Sequence, residues 1–123
     1  MAMEIGDEVY NLIDQWDNFS KWTIGKQLVE AADSIAANIS EGYGRYFYKE
    51  NRQFQYYSRG SQSETKTWLT KAKNRNLISI EKFSELVQKL DSFAIKHNAY
   101  IKSIGLKPND QLTNDKNLLS CQK

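Results

Sequence analysis

The side chains most suggestive of chemistry lie in S-I-A-A-N-I-S-E-G-Y-G-R, residues 34–45. At spacings of four, three and four, a polar line follows one side of this segment: Ser34, Asn38, Glu41 and Arg45. These spacings place the side chains on one helix face, where Glu41 can reach Arg45 across one turn. Together with Glu64, Glu41 would form a pair of carboxylates for general acid–base catalysis. The alternative, which we favour, is that both carboxylates accept hydrogen bonds that fix helix ends and crossings.

The remaining reactive side chains are one histidine, His97, and one cysteine, Cys121. A di-iron centre in a helical bundle uses at least two histidines, and a hydrolytic triad places a nucleophile beside its histidine. Cys121 lies in a polar C-terminal segment and has no second cysteine for a disulfide. G-Y-G-R follows a predicted helix, whereas phosphate-binding glycine loops follow a strand. We therefore predict no enzyme, no metal and no cofactor, with His97 as a hydrogen-bonded core residue.

Length and composition indicate one helix-rich domain. The chain has 123 residues, of which 40% are hydrophobic, and it contains a single proline, so long stretches lack helix breakers. No run approaches the roughly 20 apolar residues of a membrane span, and the first residues lack the pattern of a signal peptide. We expect a cytoplasmic protein without a membrane segment.

Four segments have the apolar periodicity of amphipathic helices. The first covers about residues 3–18, with an inner stripe of Ile5, Val9, Leu12, Ile13, Trp16 and Phe19. The second begins at an N-cap provided by Ser20 or Thr23, and Gly42 and Gly44 fit its end. Its inner face is small and aliphatic: Leu28, Ala31, Ala32, Ile35, Ala36 and Ile39.

The third helix is predicted over residues 47–75, with one apolar side formed by Phe47, Phe54, Tyr57, Trp68, Leu69 and Ala72. The fourth runs from a Ser79 N-cap to Gly105, and its apolar stripe is too wide for a solitary exposed helix. Residues 106–123 lack periodicity and are predicted to be a disordered tail. The predicted fold class is therefore all-α, an up-and-down four-helix bundle over residues 1–105.

Within a bundle, the polar line of residues 34–45 has a packing interpretation. Its neighbouring alanines allow another helix to approach closely, and a buried Asn38 would fix the register. Gly60 and Ser61 are the predicted complementary contact point, because a glycine inside a helix costs roughly 1 kcal/mol relative to alanine. Removal of Asn38 or Glu41 should then leave a buried partner unpaired and lower stability or disturb assembly.

Charge is distributed unevenly along the chain. Residues 1–20 contain five acids and no Lys or Arg, whereas residues 45–75 contain eight basic residues and two acids. Five of the basic residues recur every seven positions: Arg45, Arg52, Arg59, Lys66 and Lys73. Because two helical turns cover about 7.2 residues, these residues form a nearly straight row. Lys49, Tyr48 and Tyr56 lie close enough to add charge and stacking surface.

The fourth helix carries a similar series that would widen the basic patch: Lys82, Lys89 and Lys96. Two interpretations of the patch remain open. One is an ordinary solvated exterior. The other is a phosphate-binding strip, in which cations displace condensed counterions and aromatic rings stack on unpaired bases.

The stretch A-A-D-S-I-A-A-N-I-S-E-G-Y-G-R, followed by F-x-Y-Y-x-x-G-S-x-x-E, resembles the four-helix-bundle family of 23S ribosomal RNA intervening-sequence proteins. The likeness covers roughly residues 5–105, with Ser40 in place of a commoner alanine. The same family is similar to the accessory variability protein of diversity-generating retroelements. The resemblance implies a structural signature without a catalytic residue: Asn38, Glu41, Gly42, Gly60, Ser61 and Glu64.

The resemblance also implies a homopentamer with a basic surface and, for the retroelement relatives, binding to a reverse transcriptase and to nucleic acid. Self-association is expected as well, because the apolar stripe of the fourth helix and three tryptophans, Trp16, Trp22 and Trp68, offer more surface than one small bundle readily hides.

Two functions are therefore open. The leading hypothesis is a non-enzymatic, oligomeric module that binds RNA or single-stranded DNA through Arg45, Lys49, Arg52, Arg59, Lys66 and Lys73. The alternative is a protein–protein scaffold whose basic face meets an acidic partner or a reverse transcriptase.

Overall fold

The computed structural model describes residues 1–106 and contains four helices in that range. Helix α1 is Ala2–Asp14. Helix α2 is continuous through three stretches: Asn18–Ser20, the π-helical Lys21–Gly25, and Lys26–Tyr43. Helix α3 is Tyr48–Asn74 and helix α4 is Ile80–Ser103. Apart from Leu106, the predicted tail lies outside the described residues, and Cys121 lies there with it.

Local capping sets the helix boundaries, and two of them differ from prediction. Helix α1 ends at Asp14, several residues before the predicted end. The N-cap of α2 is Asp17, whose carboxylate accepts a hydrogen bond from the backbone N–H of Ser20 at 3.1 Å. The bonds from Ser20 hold the pKa of the Asp17 carboxyl below its usual value. The predicted caps, Ser20 and Thr23, lie inside the helix, because a carboxylate further upstream already satisfies its first turn.

Gly25 lets α1 approach α2 closely where α2 is π-helical. A Cβ at this position would lie 2.8 Å from Cγ2 of Ile13 and 3.1 Å from the carbonyl oxygen of Ser20. The side chains of Phe19 and Trp22, which precede Gly25, project into solvent, and Trp22 is 75% exposed. The prediction that Phe19 belongs to the inner stripe is therefore wrong.

Consecutive helices pack against one another, and α1 also contacts α4, so that the four helices enclose one core. Ser79 caps α4 as predicted, by accepting a hydrogen bond from the backbone N–H of Lys82 at 3.0 Å. The core residues come from every helix and include Ile5, Val9, Leu28, Ile35, Ile39, Leu69, Leu86, Leu90 and Phe93. The predicted all-α, up-and-down four-helix bundle is confirmed.

Helix α3 buries a face that is mostly polar, contrary to prediction. The expected inner residues Phe47 and Tyr57 are exposed, and Phe54 is half-buried. The buried residues are instead Asn51, Gln55, Ser58, Gln62, Thr65, Leu69 and Ala72. Their spacing alternates between four and three, which is the repeat of a helix face packed against neighbours. Amides and hydroxyls occupy this face because each of them finds a hydrogen-bond partner inside the bundle.

The buried amides of α3 form one hydrogen-bonded line with His97 and Tyr100 of α4. The amide nitrogen of Gln62 donates to Nδ1 of His97 at 2.9 Å, so the ring proton is on Nε2, which donates to Oε1 of Gln55 at 2.8 Å. Gln55 Nε2 donates in turn to Oδ1 of Asn51 at 2.9 Å, and Asn51 Nδ2 donates to the hydroxyl of Tyr100 at 3.0 Å. Burial lowers the pKa of His97 to about 4, so the ring is neutral. The prediction of a hydrogen-bonded core histidine is confirmed.

The hydrogen bonds of the predicted polar line stay within one helical turn. Asn38 is half-buried and donates to the carbonyl oxygen of Ser34 at 2.9 Å, one turn earlier in the same helix. Glu41 is exposed and pairs with Arg45. The expectation that Asn38 and Glu41 each have a buried partner is therefore wrong, since α2 turns its alanine and isoleucine face inward and leaves this line at the edge.

The two signature glycines have opposite surroundings. Gly42 is buried against α3, and a Cβ there would lie 2.9 Å from the backbone oxygen of Asn51. Gly60 is exposed, and a Cβ there would meet no atom within 4 Å. Of these two glycines, Gly42 rather than Gly60 is therefore a point of close helix contact. Ser61 is half-buried and Glu64 is exposed.

Candidate nucleic-acid interface

The basic row of α3, which we define as Arg52, Arg59, Lys66 and Lys73, follows the edge of the buried face. Each of these residues comes directly after a buried one: Asn51, Ser58, Thr65 and Ala72. At 1.5 Å per residue the row is about 30 Å long. Arg45, predicted as its first member, lies in the connection between α2 and α3, so the row on α3 begins at Arg52.

Helix α4 and Ile104, the residue that follows it, contact three of the four row residues. Arg52 Nη1 donates to the carbonyl oxygen of Ile104 at 3.3 Å, just past the end of α4. Lys66 Nζ lies 2.7 Å from a carboxylate oxygen of Asp91, and Lys73 Nζ lies 4.4 Å from the ring centre of Phe83. These contacts fix the direction of long side chains that would otherwise sample many rotamers.

The Lys66–Asp91 pair places an acid beside the basic row. The spacing of residues on α3 could not predict this acid, because Asp91 belongs to α4. Both side chains of the pair are about half-exposed, and such a pair contributes only about 0 to 1 kcal/mol in water. A phosphate can therefore compete for Lys66. Arg59 is exposed, and its guanidinium lies 5.5 Å from the ring centre of Tyr56.

Between Arg59 and Lys66 the surface opens into a groove of about 400 Å³ between α3 and α4. Gly60 and Ala94 line it and leave it open, because neither has a side chain longer than a methyl group. A phosphate in this groove can approach Arg59 and Lys66, with Asp91 also in the lining.

The lysines of α4 do not all widen the basic row. Lys89 pairs with Glu8 of α1, and this contact raises the pKa of Lys89. Lys82 pairs with Glu85 and lines a groove with Glu8. Both lysines therefore lie on the side of α4 that faces α1, and the expectation that they thicken the strip is wrong for them. Lys96 is exposed.

Four aromatic residues at the junction of α2 and α3 form what we call the aromatic corner: Tyr43, Tyr46, Phe47 and Tyr48. Their side chains are 44%, 90%, 63% and 51% exposed, respectively. The rings of Tyr46 and Phe47 meet edge to face at 5.0 Å. Phe47 was predicted on the apolar side of α3, and no role was predicted for Tyr43 or Tyr46. The signal that could have found the corner is the crowding of four rings into six residues at a predicted helix end.

Three basic residues lie next to the aromatic corner, together with two acids, Glu41 and Glu50. The Arg45 guanidinium lies 4.7 Å from the ring centre of Phe54 and pairs with Glu41. Lys49 is exposed and is bonded to no group within residues 1–106. Arg52 Nη1 and Tyr48 Cδ2 lie 3.5 and 3.6 Å from the point where a Cβ on Gly105 would stand. The first residue of the basic row is thus next to the corner.

The geometry does not bring the candidate catalytic residues together. Glu41 is at the end of α2, beside Gly42, which contacts Gln55. Glu64 is nine residues further along α3 than Gln55, a distance of about 13 Å at 1.5 Å per residue. His97 is buried in its amide line. Within residues 1–106 no group of three or more His, Cys, Asp or Glu residues is placed to hold a metal ion.

The described residues thus define an all-α, four-helix-bundle protein with a basic row and an exposed aromatic corner. No helix among them is long and apolar enough to cross a membrane. A family model described as 23S rRNA-intervening sequence protein matches residues 1–99. The chain belongs to this family. A search of curated proteins finds no match.

Proposed function

We propose that this chain is a non-enzymatic module that self-associates and binds nucleic acid through the basic row and its neighbours Arg45 and Lys49. The observation that carries the proposal is the placement of the row: four cations at seven-residue intervals on one rigid helix, three of them held in position by α4. Prepositioned cations lose less side-chain entropy when they bind phosphates. Lysine and arginine contacts of this kind release condensed counterions and bind any sequence.

Self-association is supported by the apolar side chains that the subunit leaves in solvent. Phe19, Trp22, Ile80 and Ile95 are all exposed, and nothing within residues 1–106 covers them. A ring of subunits, homopentameric as the resemblance implies, would also multiply the field of the basic row. Sedimentation equilibrium should give an oligomer, and a monomer at micromolar concentration would contradict this part of the proposal.

The test of nucleic-acid binding is a variant with Arg52, Arg59, Lys66 and Lys73 all changed to Gln. Its affinity for every RNA and single-stranded DNA sequence should fall alike, and its salt slope should flatten by about 0.7 per lost phosphate contact. Stability should change little through Arg59 and Lys66, which are exposed, and more through Arg52 and Lys73, which are half-buried, so circular dichroism must verify that the variant is folded.

A matched pair of variants separates the row from total charge. Arg59→Gln/Lys66→Gln and Lys21→Gln/Lys26→Gln each remove two positive charges, but the second pair lies on α2, away from the row. Only the first pair should flatten the salt slope. Equal effects of the two pairs would show that net charge alone attracts nucleic acid, and unchanged binding by the quadruple variant would mean that the row is a solvated face.

The same row is compatible with a scaffold that meets an acidic protein or a reverse transcriptase. This alternative predicts that the folded oligomer binds no nucleic acid at low salt while it retains a protein partner whose contact requires the row.

A further inference from the structure

We propose that the aromatic corner holds unpaired bases by stacking, so that the ligand of the basic row is a single strand. This inference rests on the proposed function and specifies its substrate class. The corner is distinct from the row in position and chemistry: its four rings lie at the junction of α2 and α3, whereas the row runs along the α3–α4 edge.

The first argument is exposure. Tyr46 is 90% exposed and Phe47 is 63% exposed, and rings of this size are ordinarily among the most buried groups of a small domain. Their edge-to-face contact at 5.0 Å holds the two rings at nearly a right angle to each other and leaves ring faces open to solvent. An open aromatic face of this kind can accept the flat face of a base.

The second argument is the charge around the rings. An apolar protein groove or a lipid interior would be matched by aliphatic neighbours, whereas Arg45, Lys49 and Arg52 stand next to this corner. Three of the four rings are tyrosines, whose hydroxyls need to stay hydrated or hydrogen-bonded. A ligand complementary to cations and flat rings together carries both phosphates and accessible aromatic bases.

The third argument is continuity. Tyr48 and Arg52 approach the same point beside Gly105, within 3.6 Å of it. A strand whose base stacks at the corner therefore has its backbone at the first cation of the row. Bases in a duplex are already stacked on one another, so only an unpaired base can offer its face to the corner. The row by itself binds phosphates of either form, and the corner adds the preference for single strands.

The test compares single-stranded and duplex oligonucleotides of equal length, as RNA and as DNA, with the full chain in its native oligomeric state. Replacement of both exposed rings, Tyr46→Ala/Phe47→Ala, should weaken binding to single strands about 5- to 150-fold for each stacked base that is lost. Binding to duplexes and the salt slope should remain as in the wild type, because no phosphate contact is removed.

Two controls accompany this variant. Tyr46→Phe keeps the ring and should retain the wild-type preference for single strands. Tyr10→Ala removes another exposed tyrosine, from α1, and should leave binding unchanged. Both substituted positions of the corner are exposed, so the variant should fold, and its helical circular dichroism would verify this.

The outcomes separate the corner from the row. If the Gln variant of the row flattens the salt slope while the corner variant keeps the wild-type ratio of single-strand to duplex affinity, the corner proposal is wrong and the proposed function stands. If the wild type binds no nucleic acid, both are wrong. If the corner variant changes the sedimentation coefficient of the oligomer, or weakens both ligands equally, the corner is a contact between copies or a general support, and base stacking is rejected.

Discussion

Helix α3 carries polar side chains on the face that it buries and on the face that it exposes, and the two groups differ in how their polar atoms are satisfied. On the buried face, Gln55 and His97 of α4 are bonded to each other and to further side chains, with no access to water. On the exposed face, Arg59 and Lys66 remain in contact with water. Removal of a buried partner costs the desolvation energy of whatever it leaves unpaired, whereas removal of an exposed group costs little.

The largest expected effect comes from the centre of the buried line. Gln55→Leu would leave the Nε2–H of His97 and the Oδ1 of Asn51 without their partners, at about 1 to 3 kcal/mol each. The free energy of unfolding, measured by urea denaturation, should fall by about 3 kcal/mol or more. The matched control is Gln53→Leu on the exposed face of the same helix, which should change it by less than about 0.5 kcal/mol. Similar values for the two variants would contradict the comparison.

The second prediction uses the depressed pKa of His97. The folded protein keeps this ring neutral down to about pH 4, whereas the unfolded chain binds a proton near pH 6.5. Between these values the unfolded state binds more protons, so stability falls as the pH is lowered through this window, by about 3 kcal/mol in total. Urea midpoints at pH 7.5, 6, 5 and 4.5 should show the loss.

Carboxylates also titrate towards the lower end of that range, and His97→Gln isolates the histidine. This variant should be less stable than the wild type at pH 7, yet lose less stability on acidification. Parallel pH profiles for the two proteins would mean that His97 is not the residue responsible.

The smallest effects on stability come from the two glycines of the signature, one buried and one exposed, when each is changed to alanine. Gly42→Ala should destabilise by about 1 to 3 kcal/mol, because the added methyl meets backbone at 2.9 Å. Gly60→Ala should stabilise the subunit by about 0.5 to 1 kcal/mol, because it fills open space and favours the helix. Thermal unfolding of the two variants should therefore shift in opposite directions. A weaker oligomer in Gly60→Ala would identify this glycine as a contact between copies.

Apolar periodicity was sufficient to predict the four helices and the inner face of α2, because these segments carry a clear apolar stripe or recognisable capping residues. Apolar periodicity gave the wrong inner face for α3, because the side chains that α3 buries are mostly polar. The repeat that ends in Leu69 and Ala72 continues backwards through Thr65, Gln62 and Ser58 at the same spacing. Ser58 and Gln62 face inward because they find hydrogen-bond partners on α2 and α4. The spacing of residues within α3 gives no information about those partners.

The candidate site was predicted in part. The basic row follows from seven-residue spacing alone, but its ion pair with Asp91 and its support from Ile104 belong to α4 and required the packed structure. The aromatic corner was not predicted, because an aromatic residue such as Phe47 is expected to be buried. Tyr46 and Phe47 are exposed because they lie in the connection between α2 and α3.

The polar interior of α3 also has a calorimetric consequence. Exposure of apolar surface raises the heat capacity of an unfolding protein, and exposure of polar surface lowers it. Unfolding of this bundle exposes the buried amides of Asn51, Gln55 and Gln62 together with its aliphatic core. The increment in heat capacity should therefore be smaller than for a bundle of equal size with an apolar third helix, and scanning calorimetry should record a flatter dependence of stability on temperature.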